Sequence, residues 1–177
     1  RGTFDMNESI ADKSIDLMFK SPSPQLKVEF QGGESLLNFE IIKYIVRKTQ
    51  IRNIEEKRDV QFVIATNLSP LSNEILDFCY ENDIFISTSL DGPKELHNSN
   101  RPRPDRDSYE KAVEGIKMVR NKLGRDSVSA LMTTTKKSLP HVKSIIDEYV
   151  KLDFNGIFLR WLSPYGFALK SKNQIGY

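Results

Sequence analysis

The chain has 177 residues, with 26 Lys and Arg against 24 Asp and Glu, a net charge of +2. Apolar residues make up 38% and charged residues 28%, with ten Phe, six Tyr and one Trp. Such a length supports one domain whose core hides about 70% of the unfolded surface, and the composition excludes a disordered tail or a low-complexity chain. No apolar stretch approaches the ~20 residues of a membrane helix, so no membrane partner is expected. No signal peptide is evident, which makes the cytoplasm the expected compartment. The single cysteine, Cys79, excludes a disulfide framework and a cysteine-built metal site made from this chain alone. Residues 1–88 hold ten Lys/Arg against fourteen Asp/Glu, and residues 89–177 hold sixteen against ten. No run of five like charges occurs, so the asymmetry reads as a solvated face and does not point to nucleic acid.

Asn7 is placed to cap a helix over 7–20, where Ile10, Ile15, Leu17, Met18 and Phe19 are apolar. A strand is expected at 26–30. A second helix, over 36–48, carries Leu37, Ile41, Ile42, Ile45 and Val46 at helical spacing. A strand at 60–65 precedes a helix that opens at Ser72 and carries Ile75, Leu76, Phe78 and Cys79. The strand at 84–90 is followed by a helix over 108–123 that Gly124 suits to end. A strand at 128–132, a helix over 138–152 with Pro140 in its first turn, and a strand at 156–162 complete the order. The helix over 138–152 places Val142, Ile145, Ile146, Tyr149 and Val150 on its apolar side. Alternation of this kind predicts an α/β fold with parallel strands joined by right-handed helical crossovers, either an open sheet or a partial barrel. The proline-rich stretches 21–24 and 101–104 read as loops.

In parallel α/β folds, functional groups gather at the C-terminal ends of the strands. Each strand here ends in hydrogen-bonding chemistry: Gln31-Gly32-Gly33-Glu34, Thr66-Asn67, Ser89-Leu90-Asp91-Gly92, Thr133-Thr134-Thr135, and Arg160. Gly32 and Gly33 would let a ligand reach the backbone, or would simply make a tight turn. Glu34 suits either a helix start or a ligand ammonium. Asn67 suits a cap or turn as well as a ligand. Ser89 and Asp91 suit vicinal hydroxyls or an amino-acid head group. His97, in a polar loop, and His141, at a helix start, are both expected to face solvent. Cys79 is expected to be a buried structural thiol. Trp161, Tyr165 and Phe167 suit either a core or the wall of a substrate channel.

Taken together, Gln31-Gly32-Gly33-Glu34, then Asn67, then Ser89-Leu90-Asp91-Gly92-Pro93, then His97 and Arg101 resemble the radical S-adenosylmethionine (SAM) enzymes. The resemblance is to the branch of anaerobic sulfatase-maturating enzymes and peptide-modifying maturases. The stretches 129–135 and 159–168 resemble, more narrowly, the maturase of the His-Xaa-Ser repeat peptide system. The resemblance implies a partial (β/α)6 barrel holding SAM at the C-terminal rim. It implies that Gly32, Gly33 and Glu34 meet the methionine amino group and that Ser89 and Arg101 bind its carboxylate, which suits arginine's bidentate fork. Asn67 and Asp91 would support the methionine and ribose parts, and Leu159 and Trp161 would line the adenine. It further implies reductive cleavage of SAM to a 5′-deoxyadenosyl radical that modifies a peptide or protein, with an electron donor as a further partner.

The family holds a [4Fe–4S] cluster on three cysteines of a CxxxCxxC loop after its first strand, and this sequence has no such motif. The first strand and the cluster loop are therefore expected to be missing. Residues 1–177 are expected to form a core-domain fragment, from the first helix to the sixth strand and the loop after it, inactive alone. An alternative is a barrel without a cluster that binds peptides without catalysis. A third, an aldolase-type or phosphate-sugar barrel, lacks its late phosphate-binding glycine loop and its strand-end lysine or acid pair.

Overall fold

The structure is a computed structural model that describes residues 5–162. Its strands are β1 (Gln25–Phe30), β2 (Asp59–Thr66), β3 (Ile84–Ser89), β4 (Val128–Thr134) and β5 (Phe158–Trp161), which follow one another in chain order in the sheet. Its helices are α1 (Glu8–Met18), α2 (Phe39–Glu56), α3 (Asn73–Glu81), α4 (Lys94–Asn100), α5 (Ser108–Leu123) and α6 (Val142–Lys151). The chain divides into two compact units: one runs through residue 66 and takes in 70–86, and the other takes in 67–69 and continues from 87.

In the first unit, β1 and β2 run parallel, with Leu26 beside Val60 and Phe30 beside Ile64. Phe62, Val63 and Ile64 are buried on successive positions, so β2 is covered on both faces, as the run of adjacent apolar residues predicts. Asn7 caps α1 by accepting from Ile10 N, and Ser72 caps α3 by accepting from Ile75 N. On α2, Ile42, Ile45, Val46 and Thr49 bury one stripe. Arg52 of α2 reaches Asp16 of α1 at 2.5 Å, and its guanidinium lies over the Phe19 ring. Cys79 is fully buried on α3, as expected.

In the second unit, β4 and β5 run parallel, Leu131 beside Phe158 and Thr134 beside Trp161. Leu90 N donates to Leu131 O at 2.9 Å, which ties the segment after β3 to β4. The core joins Leu90, Leu96, Ala130, Met132, Ile145 and Tyr149. Leu68, at φ 63°, packs so close to α5 that a Cβ on Gly115 would lie 2.6 Å from Leu68 Cβ.

Four expectations need correction. The helix expected over 36–48 begins as a 3-10 turn (Ser35–Asn38) and continues as α2 to Glu56, because no Gly or Pro stops it. The helix α4 is additional to the expected elements, because Lys-Glu-Leu-His-Asn-Ser-Asn shows no apolar periodicity. On α6 only Ile145 and Tyr149 of the expected apolar side are buried; Val142, Ile146 and Val150 are exposed. His97 is buried in α4 at 1% exposure, whereas His141 faces solvent as expected.

Candidate functional site: the strand-end loops of the two units

The loop after β1 is tied to the end of β2. Glu34 Oε1 accepts from Thr66 Oγ1 at 2.6 Å and from Leu36 N at 3.1 Å, which starts the 3-10 turn. Ser35 Oγ donates to Ala65 O at 2.7 Å. Gly32 and Gly33 are exposed beside this anchored carboxylate. Neither has a left-handed φ, and a Cβ on either would meet no atom within 4 Å. Folding of the described residues therefore does not demand glycine at either position. A groove of about 530 Å³ opens at this loop, with Phe30, Ile42 and Ile45 among its walls.

In the second unit, the segment after β3 is held from several directions. Ser89 ends β3 half-buried. Tyr149 Oη donates to Leu90 O at 2.6 Å, and burial pushes that phenol's pKa up. Asp91 is 1% exposed. Its Oδ2 accepts from Arg101 Nε at 2.8 Å; its Oδ1 accepts from Arg101 Nη2 at 3.2 Å and from Thr133 N at 2.9 Å. Arg101 Nη2 also donates to Thr133 Oγ1 at 3.1 Å. Asp91 N donates to Nδ1 of His97 at 3.2 Å. Gly92, at φ 115°, would bring a Cβ within 2.7 Å of Ile145 Cγ1, so this turn needs glycine.

That Nδ1 acceptor requires a neutral imidazole with its proton on Nε2. Burial is the main reason that His97 stays neutral, its pKa falling to about 4; the Arg101 charge works the same way, while Asp91, Glu110 and a backbone hydrogen bond with Ser108 oppose it.

The residues singled out in the sequence therefore fall into different places. Gly32, Gly33 and Glu34 share one loop of the first unit; in the second, Asp91 and Arg101 share one cluster with Thr133 and His97, and Ser89 ends β3 two residues before it. Asp91 lies behind Arg101 with both oxygens taken by protein donors, so direct contact with ligand hydroxyls is not what this carboxylate offers. Asn67 is exposed and makes an Asx turn, its Oδ1 accepting from Ser69 N at 2.8 Å. Leu159 and Trp161 are 67% and 81% exposed on β5; Tyr165 and Phe167 lie outside the described residues. His97 carries part of the family resemblance, but its buried place beside Asp91 was missed in the sequence, although its i, i+4 spacing to Arg101 places both on one face of a helix.

No family model matches the chain. The cysteine-type anaerobic sulfatase-maturating enzyme of Clostridium perfringens is 24% identical over 95% of this chain and 47% of that enzyme. The serine-type enzyme of Bacteroides thetaiotaomicron is 29% identical over 65% of this chain and 28% of its own length. The chain thus spans less than half the length of these relatives. Among solved structures, native anSMEcpe with bound AdoMet matches with a TM-score of 0.79 at 20% identity, over 93% of this chain and 45% of the other. The same protein with AdoMet and the Kp18Cys peptide matches with a TM-score of 0.80. Likeness at this identity shows the fold, and it is the α/β partial-barrel class expected from the sequence. In sequence, the chain's homologues are anaerobic sulfatase-maturating enzymes, which are radical SAM proteins, and in fold it is similar to anSMEcpe.

Proposed function

We propose that this chain is the SAM-binding part of a radical SAM enzyme that modifies a peptide or protein. The observation that carries this reading is its likeness, over 95% of its length, to a sulfatase-maturating enzyme. Each unit offers its own geometry alone. In the first unit, Gly32 and Gly33 offer backbone polar groups beside Glu34, chemistry suited to an ammonium group. In the second unit, Ser89 and Arg101 suit a carboxylate, with Nη1 the one guanidinium nitrogen absent from the bonds to Asp91 and Thr133. Asn67 adds an exposed amide, Asp91 holds Arg101 in place, and Leu159 and Trp161 present apolar surface to an adenine ring.

The residues present do not fit a [4Fe–4S] cluster. Cys79 is the chain's sole cysteine, it is buried, and burial pushes its thiol up to about 12, far from the thiolate a cluster needs. Among the described residues, no group of three His, Cys, Asp or Glu side chains is placed to hold a metal ion. Reductive cleavage of SAM to the 5′-deoxyadenosyl radical therefore requires thiolates from outside these residues, and the chain alone binds SAM without cleaving it. The substrate is a peptide or protein, with a His-Xaa-Ser repeat peptide as the narrower expectation, and an electron donor completes the reaction. The setting proposed is the cytoplasm; among the described residues no helix is long and apolar enough to cross a membrane.

The lone, buried cysteine favours one second reading, a barrel without a cluster that binds peptides without catalysis. Anaerobic expression of the protein containing this chain, with iron and sulfide reconstitution and a 5′-deoxyadenosine assay, separates the two. Formation of 5′-deoxyadenosine from SAM supports the enzyme; a reconstituted protein that makes none supports the binding module.

A further inference from the structure

Arg101 closes α4 in the second unit, yet its direction is set by groups that meet no ligand. Nε and Nη2 are committed to Asp91 and Thr133. Asp91 is itself held at three points: the guanidinium, Thr133 N, and its own amide, which donates to His97. The imidazole is 1% exposed and fixed in α4, with the Tyr109 ring edge-on at 6.1 Å. Helix α4 returns to the cluster at its end, where Arg101 N donates to His97 O at 2.9 Å. A buried amide without its acceptor costs free energy, so loss of the imidazole nitrogen would release the Asp91 backbone. The carboxylate would turn with it and carry the guanidinium along.

We propose that His97 is a positioning residue: its Nδ1 fixes the Asp91 backbone, and through the Asp91 carboxylate it aims Nη1 of Arg101 at the carboxylate of an amino-acid-type ligand. The proposal rests on the SAM reading only for the ligand's identity. His97 touches no ligand; it acts through Asp91 and then Arg101. The chemistry asks for a hydrogen-bond acceptor at the Nδ1 position and not for an imidazole as such. His97→Asn would place an amide oxygen near that position, whereas His97→Phe would fill the space with no acceptor.

The test compares His97→Asn and His97→Phe in the full chain, with two ligands measured by calorimetry. SAM carries the carboxylate; 5′-methylthioadenosine carries the same nucleoside without it. The expected result is a loss of SAM affinity of at least tenfold in His97→Phe, a loss under threefold in His97→Asn, and unchanged methylthioadenosine affinity in both. Equal weakening of both ligands, equal effects of the two variants, or no effect of His97→Phe overturns the proposal. If the wild-type chain binds no SAM, the SAM reading fails, and the Arg101 Nε–H resonance decides the positioning role. Slow solvent exchange of that proton in wild type and His97→Asn, with fast exchange in His97→Phe, upholds it. Indifference to both substitutions overturns it.

Discussion

Arg101 clasps Asp91 through two nearly parallel bonds, Nε to Oδ2 at 2.8 Å and Nη2 to Oδ1 at 3.2 Å, with the carboxylate 1% exposed and the arginine side chain 30% exposed. A buried anion is tolerable only with such pairing. Removing one partner costs more than the pair contributes, because the other charge stays behind. Asp91→Asn keeps an acceptor for Thr133 N but takes away the charge and one fork contact. The expected loss of stability is about 3 kcal/mol, read as a lowered urea midpoint at unchanged slope. A variant as stable as wild type would mean that Arg101 is better satisfied by solvent than by this carboxylate.

The glycines separate folding from binding. Gly32 and Gly33 have open space where a methyl group would stand and no left-handed backbone, so Gly32→Ala and Gly33→Ala should leave stability within about 0.5 kcal/mol. SAM affinity should nevertheless fall, because a methyl group keeps a ligand from the backbone. Gly92→Ala should behave in the opposite way. Its φ of 115° and a Cβ position 2.7 Å from Ile145 Cγ1 predict a loss of roughly 2 kcal/mol before any ligand is added. Thermal unfolding and calorimetry on the same three variants check the contrast.

β2 was readable because its burial on both faces writes adjacent apolar residues into the sequence, at Phe62, Val63 and Ile64, whereas β3 and β4 show the alternation of strands buried on one face. Asn7, Ser72 and Gly124 were readable because capping is local chemistry. The strand-end groups could be named for the same local reason, but not sorted. Residue type does not say whether Asp91 faces a ligand or a guanidinium ten residues away. The burial of His97 was not readable because α4 is too polar to show a stripe; it comes with the Asp91 backbone and the Tyr109 ring, which only the fold brings near. The outward side of α6 shows the reverse error: Val142, Ile146 and Val150 have helical spacing, and spacing alone does not create a partner.

Cys79 should behave as a core side chain. Its thiol is fully buried, and burial raises its pKa to about 12. Alkylation by iodoacetamide at pH 8 should therefore be slow in the native chain and rapid in urea. Reconstitution of these 177 residues with iron and sulfide should give no cluster absorbance, and Cys79→Ala should give the same blank result. An iron–sulfur spectrum that disappears in Cys79→Ala would place this thiol among cluster ligands and contradict its burial.

Acid should weaken the fold through His97 before it protonates most carboxylates. In the unfolded chain the imidazole takes up a proton near its ordinary pKa of 6.5; in the folded chain burial lowers this to about 4. Between those values the unfolded state binds more protons, so stability rises with pH across that window. The contribution is complete above about pH 6.5 and is lost progressively as pH falls toward 4, a total of roughly 3 kcal/mol. Protonation would also put a hydrogen on Nδ1, where Asp91 N–H already points, and would set a cation near Arg101. Asp91 and Glu110 temper that cost without reversing it. Urea unfolding from about pH 7.5 to 4.5 should therefore show a steeper decline in wild type than in His97→Asn, which has nothing to titrate at that position. Parallel pH profiles for the two proteins would mean that the imidazole takes up its proton as readily in the folded chain as in the unfolded one.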